Sequence, residues 1–320
     1  MWDELIGRRV VVRRRITPPA DPKHDTGAKY SDVLGTLIRA DAALHIERSN
    51  GEVVTVPGSE VHRVKAIPPA RVRVLPSPIA PLALEEITAL GWPAPATARL
   101  GRWLLRAADG YTRRANSVLP LGPAGLPVEA AIDRAREWYA ERRLPLRFQL
   151  PTPGTEALDE ILEKQHFLRE NLTFVHVAPV GAIMATAPAR EDLPPVRLQN
   201  YPGAAWQQMQ EPITPIAQAV LTGARLPVFA TVADGETTIA TARAVVDFDW
   251  LGITALQVAP EYRRRGIAMH VMRALGAWGR SNGARNSYLQ VEEANHGAID
   301  LYERLGYVMH HEYHYRLGLP

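Results

Sequence analysis

The sequence predicts an α/β (α+β) protein: a mixed sheet with flanking helices at the C-terminal end, preceded by a related α/β segment and a small all-β barrel. Three observations carry this. The last third alternates strand and helix patterns, with apolar residues switching between periods of 2 and 3.6. The middle third repeats that order at a constant shift of 140 residues, Pro120 falling on Pro260, Trp138 on Trp278, Leu162 on Tyr302 and Phe167 on Tyr307. The first 70 or so residues hold only short β-type runs punctuated by turn residues.

Those runs are Gly7 to Ile16, Val33 to Ala40, Ala43 to Arg48, Glu52 to Pro57 and Val61 to Ile67, broken at Ser49-Asn50-Gly51 and Pro57-Gly58. They predict a five-stranded barrel over residues 1–68. The stretches Glu52 to Pro57 and Val61 to Val64 resemble small barrels of the Src-homology type, which implies a docking module or a packing neighbour. Arg8, Arg9, Arg13, Arg14 and Arg15 raise the question of nucleic acid. Alternation along a strand sends adjacent arginines to opposite faces, and no row of aromatics offers base stacking, so nucleic acid is not an expected partner. Pro68-Pro69, Pro76, Pro78 and Pro81 then form a stiff connector, and a second proline-rich break runs from Pro188 to Pro195. The expected domains are 1–68, 69–190 and 191–320.

With 46% hydrophobic residues, the 320-residue chain can build real cores and is not disordered. The net charge of +3 is small and comes from the N-terminal segment. The absence of cysteine excludes disulfides, thiolate nucleophiles and cysteine metal sites. No run approaches the roughly 18 apolar residues of a membrane span, and Met1 to Arg9 lacks an apolar core segment, so a soluble, cytoplasmic protein is expected.

The most informative stretch is Leu256-Gln257-Val258-Ala259-Pro260-Glu261-Tyr262-Arg263-Arg264-Arg265-Gly266-Ile267-Ala268. It reads as a strand, a basic glycine turn and a helix start. Ile267, Val271, Leu275 and Trp278 recur at helical spacing until Asn282-Gly283 stops the helix. The unpaired N–H groups of the first turn and the helix dipole favour a phosphate by up to about 2 kcal/mol, and Gly266 admits close backbone approach. Arg263, Arg264 and Arg265 add charge at the same place. A second strand, Ser287 to Val291, leads into Asn295-His296-Gly297-Ala298-Ile299-Asp300-Leu301-Tyr302-Glu303-Arg304-Leu305-Gly306-Tyr307. Here Ala298, Leu301, Tyr302 and Leu305 share one helical face, Asn295 is placed to cap, and Gly306 suits a left-handed stop.

The pattern Arg-x-x-Gly-x-Ala between strand and helix resembles the coenzyme A signature of the GNAT superfamily of N-acetyltransferases, and the second segment resembles that family's second motif. The resemblance is specific over about 250–317. It implies acetyl-CoA as acyl donor, with Leu256, Gln257, Val258, Arg263, Arg264, Arg265, Gly266, Ile267, Ala268, Asn295 and Tyr302 at the cofactor. Parallel strands near Val258 and Leu289 would splay to admit the pantetheine, and backbone from Gln257 to Ala259 would polarise the thioester carbonyl. Tyr302 matches the family's tyrosine general acid. The middle segment lacks these groups, since Leu126 stands opposite Gly266 and Leu162 opposite Tyr302, and so resembles a degenerate copy.

A lysine-like ammonium is neutral only about 0.04% of the time at pH 7, so a proton acceptor is needed. Glu292, at the end of the second motif strand, is the first candidate base, and Asp249, in the turn before the cofactor strand, is the second. The expected reaction is direct attack of a primary amine, from a small molecule or a protein, on acetyl-CoA. A non-enzymatic acyl-CoA sensor or scaffold is the alternative. His310 and His314 would lie about 13 Å apart on a strand, so no metal is expected. The internal duplication allows a monomer, and the oligomeric state is open.

Overall fold

The computed structural model describes residues 2–15, 30–48, 52–66, 79–210 and 212–319. The Ser49-Asn50-Gly51 turn and the connector prolines from Pro68 to Pro78 lie outside the described residues. Contacts divide the chain into two compact units, Met1–Val72 and Arg73–Pro320.

The first unit is a five-stranded antiparallel sheet of β1 (Arg9–Arg15), β2 (Tyr30–Ala40), β3 (Ala43–Glu47), β4 (Val53–Pro57) and β5 (Val61–Ala66), in the order β4-β3-β2-β1-β5. The edge strands β4 and β5 are consecutive in sequence. A flat five-stranded sheet would hold them about 19 Å apart, whereas the turn between Pro57 and Val61 reaches at most about 15 Å. The sheet therefore curls, enclosing Val10, Val12, Val33, Leu37, Leu44, Ile46 and Val56. Arg13 lies outside this core in a two-pronged pair with Asp32, both contacts 2.8 Å.

The second unit begins with α1 (Pro81–Gly91) and a three-stranded sheet of β6 (Ala96–Leu100), β7 (Trp103–Ala107) and β8 (Leu119–Pro120). Next come α2 (Val128–Ala140), β9 (Arg147–Thr152), α3 (Glu156–Lys164), β10 (Leu168–Pro179) and α4 (Val180–Thr186). The remainder comprises β11 (Arg197–Gln199), α5 (Ala204–Gln207), α6 (Pro215–Thr222), β12 (Pro227–Asp234), β13 (Thr237–Asp247), β14 (Trp250–Val258), α7 (Ile267–Ser281), β15 (Asn286–Glu292), α8 (His296–Arg304) and β16 (Val308–Leu317).

The repeat visible in the sequence reappears as geometry, because α2, β9, α3 and β10 fall 140 residues before α7, β15, α8 and β16. The two sets are interleaved in one eight-stranded sheet, ordered β11-β12-β13-β14-β15-β10-β16-β9. Each set's last strand thus pairs with the other set's preceding strand, and the two last strands pair with each other. Thr173 faces Tyr313, its own counterpart in the repeat, and Leu168↔Leu317 mirrors Val177↔Val308. A local pseudo-twofold axis therefore runs between β10 and β16.

On one face the alanines and valines of β12 and β13 pack against Ile267, Val271, Met272 and Leu275 of α7, with Ile183 of α4 and Tyr302 of α8. Beyond the pseudo-axis, Phe148 and Leu150 of β9 pack on α2 and α3. The opposite face is covered by α1, whose Leu84 meets Val175, Val177, Trp250, Tyr288, Tyr313 and Tyr315. His176 sits in β10 at 3% exposure with Nδ1 unpartnered among the described residues, and burial pushes its pKa from 6.5 down to about 4. Between these values the unfolded chain takes up a proton that the folded one refuses, so stability is complete above pH 6.5 and is lost as pH falls towards 4. We expect a loss on the order of 2–3 kcal/mol across that window in urea titrations, and its disappearance in His176→Leu.

Candidate functional site

The parallel strands β14 and β15 pair only from Trp250 to Ile253 with Asn286 to Leu289, and then separate. A bulge in β14 lies at the point of separation. Arg243 of β13 faces Thr254 while Thr241 faces Gln257, so β14 carries an extra residue, and Ala255 adopts φ +53°. The Ala259 N–H, expected to face the acyl group, is bonded to the Ile239 carbonyl at 2.9 Å. Alternation then turns the amides of Leu256 and Val258 toward the gap, where β15 no longer supplies partners.

Past the gap the chain turns through Pro260–Tyr262 into α7. Gly266 caps that helix at φ +83°, with no side chain accepting from the first-turn amides. The first intrahelical bond is from His270 N to Gly266 O, so the amides of Ile267, Ala268 and Met269 face the loop with no partner among the described residues. Arg263, Arg264 and Arg265 are exposed around it. Arg263 Nε reaches back to the Val258 carbonyl at 3.2 Å, and Arg265 packs over Tyr262 while donating to the Glu261 carbonyl at 3.0 Å. A residue outside the motif joins them: Arg190 Nη1 donates to the Arg265 carbonyl at 3.2 Å and lies 2.3 Å from where a Cβ on Gly266 would sit. Nothing in the local pattern around Pro188 to Pro195 marks Arg190, because that segment reaches the loop only through tertiary folding.

Asn295 caps α8, its Oδ1 accepting from Ala298 N at 3.2 Å. Tyr302 lies in the α7 face core, 9% exposed, and its hydroxyl has no hydrogen-bond partner among the described residues. Burial pushes its pKa up to about 12. Glu292 ends β15, is more than half exposed, and accepts from Arg113 at 3.4 Å and Asn171 at 3.3 Å. Asp249 is at the wrong end of its strand for a base. It accepts from Asn286 Nδ2 at 3.2 Å beside the first β14 pair, about 26 Å along the strand from Gln257. Of the three histidines near the C-terminus, His310 and His311 join the cluster described next, while His314 contacts Asp159 at 3.0 Å.

A polar cluster that sequence reasoning missed lies under α1. Pairing across the sheet sets Arg243, Thr254, Gln290, Val175 and His311 in one row on this face, on β13, β14, β15, β10 and β16. Register neighbours in such a row have Cβ atoms about 5 Å apart, although Thr254 and Gln290 flank the point where their strands separate. Fully buried Glu85 of α1 accepts from His311 Nε2 at 3.1 Å, Thr88 Oγ1 at 3.0 Å, Gln149 Nε2 at 2.8 Å and Gln290 Nε2 at 3.4 Å. Burial alone would raise the Glu85 carboxyl, but His311, Thr88 and Arg106 outweigh it and hold the pKa below the usual range. His310 Nδ1 touches His311 Nδ1 at 2.8 Å, and its Nε2 touches the Ile79 carbonyl at 3.1 Å. Burial and the neighbouring His311 lower the His310 pKa, and the two rings link the Ile79 carbonyl to the Glu85 carboxylate. The available sequence signals were Glu85 within the apolar stripe of α1 and Arg243 amid the small residues of β13.

Known proteins with this architecture fit the same frame. A tandem GNAT protein from the clavulanic acid biosynthesis pathway matches with a TM-score of 0.52 at 11% identity, covering 74% of this chain and 87% of that one. The uncharacterized N-acetyltransferase YobR of Bacillus subtilis (strain 168) is 28% identical over 242 residues, 73% of this chain and 97% of the relative. The "Probable histone acetyltransferase Rv0428c" of Mycobacterium tuberculosis is 27% identical over 332 aligned residues, 98% of this chain and 95% of the relative. Fold and relatives together define an acyltransferase of the GNAT superfamily. The chain belongs to the family whose model is described as "Probable histone acetyltransferase Rv0428c C-terminal", which matches residues 82–316.

The cluster under α1 yields a stability test. Glu85→Gln replaces the buried anion with an amide whose single oxygen cannot receive four donors, leaving some of them unpaired in the core. We expect a loss of about 3 kcal/mol in urea unfolding, and a change below about 0.5 kcal/mol would contradict the role of the Glu85 carboxylate as the centre of the cluster.

Proposed function

We propose that the protein transfers an acetyl group from acetyl-CoA to a primary amine by direct attack of the amine nitrogen. The carrying observation is the separation of β14 from β15 beside a glycine-capped helix whose first amides have no partner among the described residues. The loop residues fit a diphosphate: N–H groups unpaired among the described residues and the exposed arginines 263, 264 and 265, with Arg190 Nη1 filling the place beside Gly266 where a Cβ would sit. Leu256 and Val258 would hold the pantetheine amides as a neighbouring strand would, with Gln257 between them and Asn295 at the rim. Bound acetyl-CoA supplies the acyl carbon.

Tyr302 keeps its proton on Oη throughout the neutral range, because burial raises its pKa to about 12. It serves the departing sulfur as a hydrogen-bond donor. Complete transfer from a phenol this weakly acidic to a thiolate of ordinary pKa about 8.5 is uphill, so stabilisation of the developing charge is the larger effect. Glu292, two residues beyond Gln290 on the same side of β15, is the proposed acceptor of the amine proton through water. The middle copy supports the site without binding a second acyl donor, since Leu126 replaces the glycine and buried Leu162 the tyrosine.

Gly266→Asp puts a side chain at φ +83° and a negative charge beside the expected diphosphate. Calorimetry should show acetyl-CoA affinity falling by about 100-fold or more while the unfolding midpoint moves by only a few degrees. Tyr302→Phe should retain acetyl-CoA binding and lower kcat by roughly 10²- to 10⁴-fold in a thiol-release assay with mixed amines. Undiminished turnover would remove Tyr302 from the reaction. Binding of acetyl-CoA with no thiol release from any amine would favour a sensor over an enzyme.

A further inference from the structure

On the face of the sheet beneath α1, several buried polar atoms lack a partner among the described residues: Nη2 of Arg243, Oγ1 of Thr254, Oε1 of Gln290, Nε of Arg114, Nη1 of Arg106 and Oδ2 of Asp247. Leaving such an atom unpaired in a native fold costs on the order of 1–3 kcal/mol, so a concentration of them points to a missing partner. Three are consecutive members of one cross-strand row, Arg243, Thr254 and Gln290, and the last two flank the mouth of the gap between β14 and β15.

We infer that this row is the acceptor subsite and that it selects a small amine bearing a carboxylate a few bonds from the nitrogen. The orientation of Gln290 is fixed, since its Nε2 is bonded to Glu85 and Thr88, both at 3.4 Å, leaving Oε1 as an acceptor. Oε1 of Gln290 and Oγ1 of Thr254 both accept N–H hydrogens at the place where the reacting nitrogen has to reach the acyl group. Arg243 is completely buried, with Nε on the Leu221 carbonyl at 2.7 Å and Nη1 on the Gly91 carbonyl at 3.0 Å, so Nη2 is its remaining free donor group. Arg114, from the middle copy, brings a second guanidinium against the same indole: the two Cζ atoms lie 4.7 and 5.1 Å from the Trp92 ring centre.

The charge balance points the same way. Arg106, Arg114 and Arg243 are cationic. Against them stand Glu85, already paired with His311, and Asp247, whose carboxyl is raised by burial. The site therefore holds excess positive charge in a low-dielectric setting, which attracts an anion and repels a lysine-rich segment. This inference rests on the acetyl-transfer reading only in taking the amine nitrogen as the reacting atom.

The test is calorimetric titration of the full chain, saturated with coenzyme A, with glycine, β-alanine, 4-aminobutyrate and L-glutamate, each beside its carboxamide, and with a lysine-rich histone-tail peptide. At least one acid should bind about 30-fold or more tighter than its carboxamide. Thr254→Val should weaken that acid by roughly 10-fold at unchanged coenzyme A affinity. Arg114→Gln, at a partly exposed position that leaves the core intact, should erase most of the acid-to-amide ratio, and Arg243→Gln should do the same where its melting curve shows a folded chain. Acids and carboxamides within about threefold of each other, no binding of either, or preference for the peptide would overturn the inference. Thiol release from acetyl-CoA, measured in parallel, separates the two ideas. Acid binding without thiol release preserves the subsite and defeats acetyl transfer, whereas thiol release with acids and carboxamides alike does the reverse.

Discussion

The separation of two parallel strands after four residue pairs is the constraint on which the site depends. A sheet interior normally satisfies every backbone amide, and a gap opened within it leaves donors and acceptors that must be answered by something else. Here the bulge at Ala255 keeps β14 bonded to β13 while releasing it from β15. Thr254, the last β14 residue in regular register before the bulge, faces Arg243, so the expected acyl-carrier channel and the polar row beneath α1 meet at one local irregularity. The glycine-capped helix completes the first, and the middle copy, through Arg114 and the loop around it, walls the second.

Much of this was legible in the sequence because it is local. The strand, glycine turn and helix from Leu256 to Ser281, and the strand and capped helix from Asn286 to Arg304, are each set by nearest-neighbour periodicity and capping. The 140-residue shift is readable because it preserves whole elements. The strand order was not legible, since nothing along β10 announces that it will lie between β15 and β16. Glu85 and Gln290 were missed for a related reason: a glutamate on a helix and a glutamine on a strand look like surface residues until tertiary packing buries one against the other. Asp249 was misjudged because closeness in sequence to the cofactor strand says nothing about which end of that strand faces the chemistry.

The two halves of the second unit divide the work unequally. Both have the helix pair and the exchanged strand, yet only the later one has glycine at its first helix start and a tyrosine on its second helix, where the earlier has Leu162. The earlier one contributes α1, Trp92 and Arg114 to the opposite side of the sheet. Duplication followed by such divergence yields an asymmetric cleft from a symmetric frame, with one copy lacking the arginine-glycine loop and standing instead as a wall.

The exchange of last strands also governs how the chain is made. β9 is finished at residue 152, but its sheet neighbour β16 spans Val308–Leu317. At ribosomal speeds of about 5–20 residues per second, the edge of β9 waits on the order of ten seconds for its partner to emerge. During that interval the nascent polypeptide exposes an unpaired edge to other nascent chains, so shielding by a chaperone matters most in the window before the final strand leaves the exit tunnel.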